Sequence, residues 1–388
     1  MTIFSNAIPD AAKKQRPTMP VIDVLKHVKT VHCSLGPIPY DESSNAGNIQ
    51  ILENIFRQQY HLPDSDFKSR LFLIYSDQKT TQRIRSIKQR REQAGQHYDR
   101  LQWALPVPAL FHLRMNYLYM ISRVHFGGPG GGQSTLYDAV NFWTRKKISK
   151  SNADFYALEQ LIIHSFQARV CALLWNSFAQ SGLGKCLEFK DIAQMLSILD
   201  AETFSQLLDK IVDSYSKDAA MTDDEELRNH ILYLQHTQTY LLLKYSIKHA
   251  DLGLLRRAID RCCLYFNGSG QSRYAYEMLY LQRLTSTQAA TPELQRAILA
   301  NGLINRQGNV DSWYETDRLV EFHNGTLREL LNTKRGSSLS LDYLLEHCAL
   351  NTDFFSSLAK HINSFYSINC SSNHPEKSAE LDIKVIAQ

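Results

Sequence analysis

Arg70-Leu71-Phe72-Leu73-Ile74-Tyr75-Ser76-Asp77-Gln78-Lys79-Thr80 is the stretch on which the fold turns. An apolar run, Leu71 to Tyr75, leads into a polar cluster whose first charge is Asp77. A short apolar run bounded by turn formers has the length of a buried strand. Such a strand needs cover on both faces, which implies a sheet flanked by helices. Open α/β sheets take their ligands at the carboxyl ends of their strands, and Asp77 stands at that end. An aspartate ahead of a helical pattern can equally cap the helix that follows. Both roles are open to Asp77 on the sequence.

Downstream, Arg83, Arg85, Lys88, Arg90 and Arg91 load the next segment, predicted helical from about 80 to 96, with positive charge. A basic helix of this kind can neutralise phosphates, which makes Arg83, Arg85 and Lys88 candidate nucleic-acid contacts and DNA a candidate partner. The bland alternative is a solvated helix face. Leu101 to Leu105 reads as a second strand before Pro106, and Pro108 suits the opening of a helix over 109–124. Upstream, Ile49, Leu52, Ile55 and Phe56 give residues 48–60 helical spacing. Residues 1–45 carry Pro9, Pro17, Pro20, Pro37 and Pro39 and little periodicity, predicting a loosely ordered arm with one short helix near 21–28.

Gly127-Gly128-Pro129-Gly130-Gly131-Gly132 lacks the spacing of a phosphate-cradling loop and reads as a linker. From 136 to about 287 the pattern is helical almost throughout, with apolar residues three or four apart in 155–178, 189–198, 204–215, 225–249 and 252–266. Thr222-Asp223-Asp224-Glu225 reads as a cap with acids in the first turn. Helices follow over 273–284, 293–303 and 313–331, and a helical pair over 341–365. The fold class expected is α+β, predominantly α-helical. It divides into an arm (1–45), a small α/β part (46–126), a linker (127–134), a helical insertion (135–290), helices returning to the core (291–368) and a polar, disordered tail (369–388).

At 388 residues, 44% hydrophobic and 21% charged, the chain has the make-up of a globular protein with real cores. No apolar run approaches a membrane span, and the first twenty residues hold no signal-peptide core. Seven scattered cysteines form neither a disulfide framework nor a zinc spacing, and Cys262-Cys263 read as buried thiols. The expected location is therefore intracellular, in nucleus or cytoplasm. A net charge of +4 does not by itself argue for nucleic acid.

Chemistry-bearing residues are few. On the predicted helix 313–331, Asp317, Glu321, Asn324 and Arg328 recur at spacings of four, three and four and share a face, with Leu319, Phe322, Thr326 and Leu330 elsewhere. That face can be a solvated pairing network, or it can aim Glu321 at Asp77. Two carboxylates from separate segments can hold Mg²⁺, and metals so held clamp the oxygens of phosphodiester chemistry. His112, at a helix start among apolar residues, is a boundary histidine or a proton carrier beside Asp77. Gly-x-Ser-x-Gly, His-Glu-x-x-His and Cys-x-x-Cys are absent.

Tyr75-Ser76-Asp77-Gln78-Lys79-Thr80 with Arg83-Ile84-Arg85 resembles the Gly-Asp-Gln-x-Thr signature of a largely fungal family known as domain of unknown function 6589. Asp99 to Pro108 with His112, Arg273 to Glu277, Asn301 to Gly308 and Asp317 to Asn324 are similar to further segments of it. The resemblance spans roughly 45–368. It implies a transposon-associated layout like that of a DDE transposase: a ribonuclease-H-like core with an acid ending a strand, a large helical insertion and a last acid on a late helix. Asp77, the insertion and Glu321 follow that order. On this resemblance Asp77, Glu321 and His112 are the catalytic candidates, and Asp77 and Glu321 the Mg²⁺ ligands. Ser76 stands where the signature has glycine, and Phe322-His323 reorders the family's Glu-His-x-Asn. The family's first acid has no counterpart in residues 1–69, which implies a truncated remnant, active or silent. The alternative is a non-catalytic helical module for protein or nucleic-acid binding.

Overall fold

A computed structural model describes residues 19–36, 38–130, 135–145, 148–149, 154–180, 200–215, 223–332, 343, 347 and 351–366. The chain forms two compact units, one from residues 21–115 with 242–372 and one whose described part lies within 116–241 apart from residues 19–20.

The first unit contains the expected strand. Helix α1 (Asn45–Glu53) runs into a turn of π-helix, Asn54–Gln59, where a single helix over 48–60 is predicted from spacing. After α2 (Asp64–Ser69) comes β1 (Phe72–Ser76), then α3 (Gln78–Arg90) and β2 (Ala104–Pro108). The strands pair in parallel, Phe72 opposite Ala104 and Ser76 opposite Pro108. The second strand thus lies three residues later than 101–105 and contains both prolines. Phe72 N–H donates to Trp103 and Ala109 N–H to Ser76, so odd-numbered residues of β2 face β1. Pro106 and Pro108 therefore turn their missing N–H groups to the outer edge, where proline is tolerated and a further strand is disfavoured. Among the described residues this sheet has two strands. Its core is aromatic: Phe56, Phe67 and Trp103 are buried together with Leu52, Ile87 and Leu101, and Phe72 and Tyr98 pack on them. Ring centroids lie 4.8–4.9 Å apart for Phe56–Trp103, Phe67–Trp103 and Phe67–Tyr98, within the favourable range for aromatic pairs.

Helix α4 (Leu110–His125) follows β2 directly. Beyond the second unit, α9 (Leu252–Gly268), α10 (Ser272–Ser286) and α11 (Pro292–Ala300) pack on one another, and α10 also meets β2 and α3. A two-stranded antiparallel pair, β3 (Leu303–Ile304) with β4 (Tyr314–Glu315), leads into α12 (Thr316–Asn332), which begins three residues after the predicted Trp313. Among the described residues the last helix is α13 (Thr352–Phe365). The expected insertion, 135–290, and the contact-defined unit, within 116–241, overlap without coinciding. The physical reason is that α10 packs on β2 and α3, and α9 packs on α10.

The arm is better ordered than its prolines suggest. Residues 19–36 form an extended strap with no helix near 21–28. Asp251, 1% exposed, caps α9 through Gly253 and Leu254 and also accepts the N–H groups of Ile22 and Asp23. Leu25 N–H donates to Ala250, Leu252 N–H to Asp23, and Thr30 N–H to Asn305. Gly253 is required here, because a Cβ on it would fall 2.4 Å from Ile22 Cγ2. Residues 1–18 of the arm lie outside the described residues.

The second unit holds α5 (Leu136–Phe142), α6 (Phe155–Gln180), α7 (Ala201–Tyr215) and most of α8 (Glu225–His249). Thr135 and Asp138 form a capping box on α5, and Asp224 Oδ1 accepts from Glu226 and Leu227 at the start of α8. Buried Tyr233 donates its hydroxyl to Ile162 and buried Tyr240 to Glu159. The linker contains Gly127 and Gly130 at φ +70° and +80°, with 131–134 outside the described residues. The predicted helix 189–198 and the tail 369–388 lie outside them too, as do most of residues 341–350. Among the described residues no helix is long and apolar enough to cross a membrane.

Candidate acid–base site

Helix α4 opens without a capping side chain of its own, since Val107-Pro108-Ala109 offers no oxygen. The cap comes from far along the chain. Asp317, in the first turn of α12, accepts the N–H of Phe111 at 3.0 Å through Oδ1 and that of His112 at 3.1 Å through Oδ2. Its Oδ2 also lies 3.0 Å from His112 Nδ1. A carboxylate can only accept, so Nδ1 carries the proton and Nε2 is the ring nitrogen not committed to Asp317.

That geometry sets the affinity of His112 for a proton. The hydrogen bond to Asp317 raises its pKa above the ordinary 6.5, and burial pulls the other way. The charges of Asp317, Glu321 and Asp77 all add to the rise. Three carboxylates from two segments therefore act on one imidazole. Asp77 sits at the carboxyl end of β1, and its Oδ1 caps α3 by accepting Thr80 N–H at 2.8 Å. Of the two roles open to Asp77 on the sequence, the helix cap is the one observed, and its charge also lies in the field of His112. Ser76 Oγ and Thr81 Oγ1, 2.9 Å apart, tie the strand end to the same helix.

A buried ion pair ties α4 to the last residue of β4 beside this site. Arg114 Nη1 and Glu315 Oε1 are 2.9 Å apart, with side chains 5% and 0% exposed. Arg114 follows His112 by two residues and Glu315 precedes Asp317 by two, so the pair and the dyad form parallel cross-links. Burial raises the Glu315 pKa, against the pull of Arg114 and Arg318. Sequence reading passes over Arg114 and Glu315, although an arginine inside the apolar run Leu110–Tyr117 signals a buried partner. Among the described residues no group of three or more His, Cys, Asp or Glu side chains is arranged to hold a metal ion.

The basic helix is largely committed inward. Arg85 makes a two-pronged pair with Glu277, one arm at 2.8 Å, and its guanidinium lies 4.5 Å and 5.5 Å from the rings of Tyr280 and Tyr276. Lys88 donates its ammonium to the carbonyl of Ala104, and burial lowers its pKa. Arg83 is half-buried, within electrostatic reach of Asp41. Of the acidic face read along α12, Asp317 and Glu321 reach His112's surroundings, Asn324 is exposed, and the side chain of Arg328 lies outside the described residues.

No curated protein and no solved structure matches this chain. A family model described as a family of unknown function, DUF6589, matches residues 4–374, which include the strap, both units and every residue of the site. The chain belongs to that family.

Proposed function

We propose that the α/β unit carries a nuclease-type site that performs metal-assisted phosphodiester chemistry with His112 as its proton carrier. One observation carries this reading: Asp317 holds His112 Nδ1 at 3.0 Å in the first turn of α4, and the charges of Glu321 and Asp77 act on the same histidine. Mg²⁺ takes one or two protein carboxylates and completes its shell with water and phosphate oxygens, a demand that Asp77 and Glu321 suit. When bound, the ion supplies neutralising charge at the phosphate. Asp77 would use Oδ2, because Oδ1 serves the helix cap. Asp317, engaged by two main-chain N–H groups and the imidazole, orients His112 and raises its affinity for a proton. In its protonated form His112 would give that proton to the departing oxygen as water attacks the phosphorus.

A second reading, a non-catalytic interaction module, is favoured by the inward commitment of Arg85 and Lys88. The two separate in a cleavage assay on labelled DNA with MgCl₂ or EDTA. The Asp77→Asn variant keeps a capping oxygen and loses the charge. Cleavage in Mg²⁺ that falls about 10²-fold or more in Asp77→Asn, Glu321→Gln and His112→Gln supports the site. Cleavage that is absent, or the same in Asp77→Asn as in the parent, leaves the interaction module.

A further inference from the structure

Helix α10 presents a stripe that neither the acid–base site nor the buried core uses. Arg273, Tyr276, Tyr280 and Arg283 follow one another at spacings of three, four and three and so share one face of the helix. Arg273 and Arg283 are exposed, and Tyr276 is 60% exposed. Tyr280 is half-buried. Among the described residues neither Arg273 nor Arg283 has an ion-pair partner. Two acids lie nearby: Glu277 is buried and neutralised by Arg85, and Asp260 accepts the side-chain N–H of Gln282. Arg85 in turn lies over the rings of Tyr276 and Tyr280, so cation–π contact steadies both. The result is two rings set between two open cations about 15 Å apart along the helix.

We infer that this face of α10 binds single-stranded nucleic acid, with Tyr276 and Tyr280 stacking on bases and Arg273 and Arg283 meeting flanking phosphates. Every base has a π-face, so aromatic platforms flanked by cations suit single strands of any sequence. A duplex hides those faces in its stack. DNA and RNA present the same stacking surface and the same phosphates. The inference deepens the proposed function by naming a substrate class, and it rests on that reading only for what a bound strand would then undergo.

Fluorescence anisotropy with fluorescein-labelled 15-nucleotide single strands, one DNA and one RNA of mixed sequence, tests it on the full chain in EDTA. Cleavage cannot proceed there, so a failure of the catalytic reading leaves this measurement untouched. Tyr276→Ala, a change at an exposed position, is expected to weaken binding about tenfold. Arg273→Gln combined with Arg283→Gln is expected to flatten the salt dependence by about 0.7 log units per log unit of salt for each arginine. Arg70→Gln, at the residue that follows α2, is the control and should change neither. Binding of either single strand with these losses supports the site, and the tighter of the two names the nucleic acid. It is overturned if neither strand binds, if duplex binds as tightly as single strand, or if Tyr276→Ala binds like the parent.

Discussion

His112 Nδ1 lies 3.0 Å from Oδ2 of Asp317, a residue 205 positions later in the chain, whose carboxylate also accepts the main-chain N–H groups of Phe111 and His112. One side chain thus caps a helix and orients an imidazole. Asp317→Asn should separate the two roles, since asparagine still caps but carries no charge. In proton NMR titrations His112 should lose a proton above pH 6.5 in the parent and shift downward in Asp317→Asn. Because the folded pKa is raised, this histidine stabilises the fold fully below its unfolded pKa and loses that contribution as pH rises through the folded value. An unchanged His112 titration in the variant would remove Asp317 from the account.

The Arg114–Glu315 pair should show its role through what remains when one partner goes. Glu315→Gln removes the carboxylate charge that faces a buried guanidinium, at a cost of about 3–5 kcal/mol. The double variant Arg114→Met, Glu315→Leu should recover much of that loss in urea denaturation. If the His112–Asp317 contact depends on this pair, the His112 pKa falls in Glu315→Gln and returns with the double variant. Single losses that simply add would show that the two residues do not act as a pair.

Asp251 makes the strap sensitive to acid. Burial pushes its pKa up, but N–H donors from Ile22, Leu254, Asp23 and Gly253 outweigh this and hold it below the usual carboxylate value. A depressed acid contributes stability above its unfolded pKa and loses it as pH falls through the folded one. Hydrogen-exchange protection at Leu25 and Leu252, taken relative to an unstructured chain at the same pH, should therefore fall below about pH 4, where free aspartate is protonated. In Asp251→Asn that pH dependence should vanish. Strap amides with equal protection at pH 3 and pH 7 in the parent would contradict this.

In the helical unit three histidines are held neutral. His125 Nε2 and His236 Nδ1 are 2.9 Å apart, and Arg169 Nη1 lies 2.9 Å from His230 Nδ1. Burial pushes His125 down to about 3, aided by His236, Arg169 and His230, and His236 down to about 4. Burial and then Arg169 bring His230 down to about 4, against the pull of Asp224. The unfolded chain therefore takes up protons that the folded unit refuses, and stability must fall as pH drops from about 6.5 toward 4. Thermal melts over that range should show the loss, and His236→Gln should reduce it. A melting temperature independent of pH between 4 and 6.5 would refute the assignment.

Much of the local structure was legible in the residues. Apolar Leu71–Tyr75 ending at Asp77 located β1 to within a residue or two, since a strand of that length must be buried and Asp prefers the cap that follows. Adjacent Cys262 and Cys263 were readable as buried thiols from helical spacing alone, and both are. The strand at 104–108 was misplaced because prolines argue against strands, whereas here both fall on the unpaired edge. The strap was misread because nothing in residues 19–36 reveals a partner at Asp251.

Composition and periodicity determined the helix-rich α+β class and most helix positions, because these follow from contacts within three or four residues. Asp77 as helix cap belongs to that local order as well. Only tertiary structure decided that Asp317 would cap α4, that Arg114 would meet Glu315, and that Arg85 would turn to Glu277 and two tyrosines. Each of those contacts joins residues some two hundred positions apart, where a charge on the sequence carries no mark of its partner. What selects the partner is the cost of burying a charge or an N–H unmatched, and that cost arises only once the chain has closed around it.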